Sequence, residues 1–205
     1  PMQGMGPYES RANGESMEYE VLGFPSEEPT LTLDWEQFSY AGKFEMSNTG
    51  KAVLRETGEI VAAAAFNADR ECPTHVVILY LTVREDNQGN SLGPRLAGNV
   101  TQTLLDRGFD RVTIAVNNPI AYRALYKTGF HFTGEETGIT ELILAYPGPR
   151  EGEQYLNGLR QFEDQQLPEY HEALLADWLD GGTVPEVIDD IPLAPSDQTG
   201  DDGAR

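Results

Sequence analysis

Between Val76 and Val83 the chain reads VVILYLTV, a nearly unbroken apolar run of strand length. It predicts a central strand buried on both faces. The period then changes. Leu92, Leu96, Val100 and Leu104 recur at helical spacing and predict a helix over Leu92 to Arg107, stopped by Gly108. Val112, Ile114 and Val116 alternate with Thr113 and Ala115, so Arg111 to Asn117 reads as a second strand. Asn118-Pro119 opens the next helix, with Asn as N-cap and Pro in the first helical position. That helix runs to about Thr128 and closes at Gly129.

Weaker patterns flank this unit. Met17 to Phe24 reads as a first strand, and Pro25 to Pro29 as a break. Leu31 to Met46 carries Trp35, Phe38, Tyr40 and Phe44 and suits either a strand or a short helix. Lys51 to Glu56 and Ile60 to Phe66 flank Thr57-Gly58, a hairpin signal. Strands near Phe130 to Glu135 and Ile139 to Tyr146 complete a sheet. Gln154 to Gln165 and Glu169 to Leu179 read as two short amphipathic helices. The expected organisation is a flexible tail over 1–16, an α/β domain over 17–148, a helical extension over 149–180 and an acidic disordered tail over 181–205.

A strand, a helix and a strand in that order imply a right-handed crossover between parallel neighbours. Ligands of open α/β sheets sit beyond the carboxyl ends of such strands. The candidate site is therefore the loop from Val83 to Gly93.

Composition narrows the function. The 205 residues, 39% hydrophobic, suffice for one buried domain. No apolar run reaches the ~18 residues of a membrane span, and Pro1 to Ser16 has no signal-peptide pattern, so a cytoplasmic protein is expected. Cys72 is the only cysteine, and His75, His131 and His171 are scattered, so no metal is expected. Charge is the strongest compositional feature: 14 basic against 34 acidic residues, net −20. From Glu151 onward there are fourteen acidic residues and two arginines, net −12, leaving −8 for residues 1–150. Such a surface repels nucleic acid. With only Lys43, Lys51 and Lys127 as lysines, it resembles proteins of halophilic archaea.

The loop itself reads Arg84-Glu85-Asp86-Asn87-Gln88-Gly89-Asn90-Ser91-Leu92-Gly93-Pro94. Small residues end where a helix begins, and the first N–H groups of that helix have no internal partners. The helix dipole adds a partial positive charge there, so a pyrophosphate fits. In this context the sequence resembles the GNAT acetyltransferase superfamily, whose loop reads Arg/Gln-x-x-Gly-x-Gly/Ala after a strand ending in valine. Gln88, Ser91 and Gly93 take the three diagnostic places, and Ser91 departs from the usual glycine. Asn118-Pro119-Ile120-Ala121 and Gly129-Phe130 match a second family signature. The resemblance covers roughly Lys51 to Tyr146. It implies a GNAT fold, a central mixed twisted sheet with helices on both faces, here with the C-terminal helical extension added.

The resemblance also implies acetyl-CoA as acyl donor. Backbone groups of Leu81 and Val83 would bind its pantetheine arm, and N–H groups of Gln88, Gly89, Asn90, Ser91, Leu92 and Gly93 its pyrophosphate. Asn118 would lie near its thiol end, or merely cap the helix. The implied reaction is acetyl transfer to a primary amine of a small molecule or protein, by direct attack in a ternary complex. The family often protonates the leaving thiolate with a tyrosine four residues before the Gly of Gly-Phe, where this chain has Leu125. Tyr126, one residue on, and Tyr122, three residues back, are the candidate acids, with water as the alternative. No general base is assigned. The acceptor region Leu31 to Asn48 is short, so the C-terminal helices could cover the cleft, form a homodimer contact or simply pack. The competing reading is a non-catalytic acyl-CoA-binding module.

Overall fold

The computed structural model describes residues 17–187, so the expectations for 1–16 and for most of 181–205 lie outside it. Seven strands form one sheet in the order β1-β2-β3-β4-β5-β7-β6. The strands are β1 (Met17–Gly23), β2 (Gly50–Glu56), β3 (Glu59–Ala68), β4 (His75–Val83), β5 (Arg111–Val116), β6 (His131–Glu136) and β7 (Leu142–Tyr146). The first four pair antiparallel in sequence order. β4 and β5 are parallel, and β7 then pairs antiparallel with both β5 and β6. The sheet is mixed, with β4 and β5 as its one parallel pair, as the strand–helix–strand pattern requires.

Among the described residues five α-helices accompany it: α1 (Ala41–Phe44), α2 (Leu92–Asp106), α3 (Pro119–Lys127), α4 (Gly152–Arg160) and α5 (Glu169–Gly181). The ambiguous aromatic segment thus resolves into a single helical turn, α1, within an otherwise irregular stretch. The second-last predicted helix ends earlier than expected, passing into a 3-10 turn over Gln161–Asp164.

Alternation in β2 and β3 explains the layers. Ala52, Leu54, Ala62, Ala64 and Phe66 face a core shared with Leu96, Val100 and Leu104 of α2. Val53, Ala63 and Ala65 face a smaller core made with Leu33, Phe38, Ala41 and Phe44 of the segment before the hairpin. The sheet is therefore covered on both faces. Four successive alanines, Ala62 to Ala65, are all fully buried, because small side chains let both layers approach the centre of the sheet. Tyr155, Leu159, Phe162 and Leu175 of the C-terminal extension enter the same large core as α2.

The long strand departs from the expectation of burial on both faces. In the β3–β4 register Ala65 opposes Tyr80 while Phe66 opposes Ile78, so Leu79 is an extra residue on β4. A bulge of this kind exchanges the faces of the residues on either side of it. Before it, Val76 and Ile78 face the large core; after it, Leu81 and Val83 do. Tyr80 packs instead against the smaller core, and Leu79 is exposed.

Candidate active site

The same bulge opens the site. β4 and β5 are paired only from His75↔Arg111 to Ile78↔Ile114. Beyond Ile78 the strands part, and a cleft of about 730 Å³ opens between them. Leu79 to Val83 line one wall, and Ile114 to Asn118 line the other. Arg84 N–H donates to Val61 O on β3 at 2.9 Å. Successive N–H groups of a strand point to opposite sides, so those of Val83 and Leu81 turn away from β3 toward the gap.

At the end of β4 the chain makes a 3-10 turn, Glu85–Asn87, and reaches α2 through Gln88 to Ser91. Gly89 has φ +84°, where a side chain would strain the backbone. Ser91, the N-cap of α2, has φ 59° and makes no side-chain cap hydrogen bond. A non-glycine residue in this left-handed region costs about 1 kcal/mol, which is the physical content of its departure from glycine. Ser91→Gly should raise the thermal midpoint by a few degrees without weakening donor binding, readable by calorimetric melting.

A second cavity of about 360 Å³ lies against this loop, lined by Leu81, Val83, Gln88, Gly89, Ser91, Leu92, Gly93 and Asn118, among others. Gln88, Leu81, Val83 and Asn118 also line the larger cleft. Asn90 lines neither and instead borders a third cavity with Ser91. A methyl group added at Gly93 would lie 3.5 Å from Val83 Cγ2 and 3.6 Å from Leu81 Cδ2, so the glycine leaves open the space between loop and strand. Asn118 Oδ1 accepts from Ala121 N–H at 2.8 Å, the expected cap of α3. The cap and its position on the cleft wall are compatible.

The two tyrosines of α3 are placed elsewhere. Tyr122 is fully buried, and its hydroxyl donates to Tyr155 O of α4 at 2.9 Å. Its ring also meets Phe132 and Phe162 edge-on at 6.1 and 5.6 Å. Tyr126 is buried, its ring 4.3 Å from that of Tyr155 and 4.1 Å from the Arg150 guanidinium. Neither tyrosine lines the cleft, whereas Leu125 does. The phenolic face of α3 is the seat of the C-terminal extension, and its apolar face borders the cleft. Sequence spacing gave the angular relation of these residues but not which neighbour covers each face.

Burial raises the Tyr122 hydroxyl well above its ordinary value of 10.0, with nearby Tyr155 and Tyr126 adding to the shift. Burial likewise pushes Tyr19 up to about 12 despite its hydrogen bond with Thr103. Above pH 10 the unfolded chain therefore loses these protons before the folded one does. The folded state then binds more protons, so stability falls as pH rises. Urea midpoints should drop from pH 10 upward, and Tyr122→Phe should make that fall shallower while costing about 1 kcal/mol at neutral pH.

Sequence reasoning missed Tyr40, Ile139 and Glu141 on the cleft. All three line it, and Glu141 is the one carboxylate among its lining residues. Tyr40 and Ile139 are largely exposed and form an apolar rim, with the Tyr40 ring 6.0 Å from Tyr80. No lining residue comes from α4 or α5, so the extension does not cover this cleft. Among the described residues no cluster of three or more His, Cys, Asp or Glu groups could hold a metal ion. No helix among them is long and apolar enough to cross a membrane.

A parallel pair that parts just before a glycine-containing loop and a helix N-terminus leaves room for an extended, phosphate-bearing ligand. Residues 15–130 match the family model described as the acetyltransferase (GNAT) family, and the chain belongs to that family. Among solved structures it is similar to an IAA acetyltransferase from Bacillus cereus, 20% identical, with a TM-score of 0.44 over 63% of this chain and 98% of that one. It is also similar to a putative N-acetyltransferase from Lactobacillus plantarum, 17% identical, with a TM-score of 0.46 over 63% and 97% of the two chains. A third is a putative streptothricin acetyltransferase from Bacillus anthracis in complex with acetyl coenzyme A, 15% identical, with a TM-score of 0.44 over 54% and 69%. No curated protein sequence matches the chain.

Proposed function

We propose that the chain transfers an acetyl group from acetyl-CoA to a primary amine, by direct attack in a ternary complex. The observation that carries this reading is the parting of β4 from β5 at Ile78, immediately before the loop that opens α2. That parting frees strand N–H groups to bind an extended amide-bearing arm, as a further strand would. The arm then runs between the strands toward the loop, whose N–H groups and helix dipole suit the pyrophosphate. Leu81, Val83, Gln88, Gly89, Asn90, Ser91, Leu92, Gly93 and Asn118 are the donor-binding residues in this reading.

The acceptor enters the cleft past Tyr40 and Ile139. A protonated amine, with a pKa near ~10.4 for a lysine-type group, must lose a proton before it attacks. Glu141 is the cleft carboxylate able to take it, through a water. The new C–N bond forms as the carbonyl oxygen becomes an oxyanion, which the Leu81 N–H stabilises. The C–S bond then breaks, and the nitrogen, cationic after its attack, releases its surplus proton to water, giving neutral amide and thiolate. Water protonates the thiolate, because the Tyr122 hydroxyl is engaged with Tyr155 O and Tyr126 packs on the far face of α3.

Amine-dependent release of free thiol from acetyl-CoA tests this reading. Glu141→Gln is expected to lower the rate about 100-fold while leaving acetyl-CoA affinity unchanged. An unchanged rate removes Glu141 from the mechanism. Leu125, rather than a tyrosine, where α3 borders the cleft favours a second reading, an acyl-CoA-binding module without turnover. That module would bind acetyl-CoA saturably and release no thiol with any amine.

A further inference from the structure

The extension avoids the acceptor cleft but reaches another part of the molecule. A cavity of about 460 Å³ is lined by Asn90 and Ser91, by residues of α2 and α3, and by Trp178 of α5. Arg95, Arg123 and Lys127 line it. No acidic residue does, although the chain has 34 of them against 14 cations. Among the described residues none of these three cations forms an ion pair. Arg123 and Lys127 lie one turn apart on α3, and such like-charged pairs on a helix repel. Three cations converging without a carboxylate, on a chain of net charge −20, mark a place for an anion.

Trp178 and Arg123 are held together. The guanidinium lies 4.8 Å from the Trp178 ring centroid, and its Nη1 donates to the Tyr155 hydroxyl of α4 at 3.2 Å. Both contacts come from the extension, beyond the matched residues 15–130. Ile120 and Ala124 of α3 line the cavity together with Trp178, so its lining offers apolar surface beside the cations.

We propose that the C-terminal extension is part of the donor site. Trp178, held on Arg123, closes a cavity that takes the nucleotide end of the donor. Its indole and the side chains of Ile120 and Ala124 enclose the flat adenine base, and Arg95 and Lys127 receive the phosphate on the ribose. This inference rests on acetyl-CoA being the donor. It assigns the extension a share in donor affinity, with no role in recognising the amine.

Calorimetric titrations of the full chain with acetyl-CoA, 3′-dephospho-acetyl-CoA and S-acetyl-phosphopantetheine test it. In Trp178→Leu, acetyl-CoA should bind about tenfold more weakly, while S-acetyl-phosphopantetheine, which lacks the nucleoside, binds as to wild type. In Lys127→Gln, the preference of wild type for acetyl-CoA over its 3′-dephospho form should largely vanish. Trp178 is only half-buried, and Lys127→Gln provides a second route should the first variant fold poorly. If wild type binds acetyl-CoA and both variants bind all three ligands as it does, the inference is overturned while the donor reading stands. If folded wild type binds no acetyl-CoA, the donor reading falls and the inference falls with it.

Discussion

Gly93→Leu is expected to abolish stabilisation of the protein by acetyl-CoA while leaving the fold intact. At a hundredfold excess over its dissociation constant a ligand stabilises the folded state by about 2.7 kcal/mol. For a domain of this size that is roughly 5–10 °C in the thermal midpoint. Wild type should show this shift and Gly93→Leu none. The reason is local. A β-carbon at Gly93 meets Val83 Cγ2 and Leu81 Cδ2 at ordinary contact distance, so alanine fits. The remaining atoms of leucine project into the space between the strand end and the first turn of α2, where the reading places the pyrophosphate and the adjoining arm. Gly93→Ala should therefore keep most of the shift. A full shift in Gly93→Leu means that the donor does not lie against this loop.

Lys51→Met should be the most destabilising single change outside the apolar core. Lys51 is fully buried on β2, without a carboxylate partner among the described residues. Its ammonium donates to Pro29 O and Met46 O at 2.6 Å each, and to Thr49 O and Oγ1 at 3.0 and 3.1 Å. One side chain thus gathers three points of the irregular segment that covers the second face of the sheet. Methionine is similar in size but donates no hydrogen bond, so it leaves these oxygens without their partner. Each buried acceptor left unpaired costs about 1–3 kcal/mol, and a loss of at least 3 kcal/mol is expected in urea unfolding. A loss under 1 kcal/mol would mean that water replaces the ammonium freely. The segment carries Tyr40 of the cleft and holds Glu85 N–H at 3.0 Å through Gln37 O. Its loosening should therefore also raise the apparent KM for the amine.

The sequence made the frame of this site legible because the frame is periodic. β5 alternates, α2 repeats at helical spacing, and Asn118-Pro119 caps α3 by a local hydrogen bond, so each is written within a few residues. The loop motif is local in the same sense, and all nine nominated donor residues border one of the three cavities. The bulge at Leu79 left no trace. Apolar residues stand on both sides of it, and an exchange of faces inside a continuous apolar run changes no pattern. Its result is the cleft, which sequence reading reached only through the family resemblance. The tyrosines show a second limit. Helical geometry relates Tyr122, Leu125 and Tyr126 to one another, but what covers each depends on Tyr155 and Phe162, some thirty to forty residues later in the chain. Trp178 lies further still from the loop it borders, in a segment whose amphipathic pattern showed only that it packs.

The most direct test of the account is calorimetric titration of the wild-type chain with acetyl-CoA. The expected result is saturable binding of one acetyl-CoA per chain, lost in Gly93→Leu protein that melts cooperatively. Folded wild-type protein that takes up no acetyl-CoA would contradict the account: the cleft between β4 and β5 would then be no acyl-donor site, and the family fold would serve another ligand.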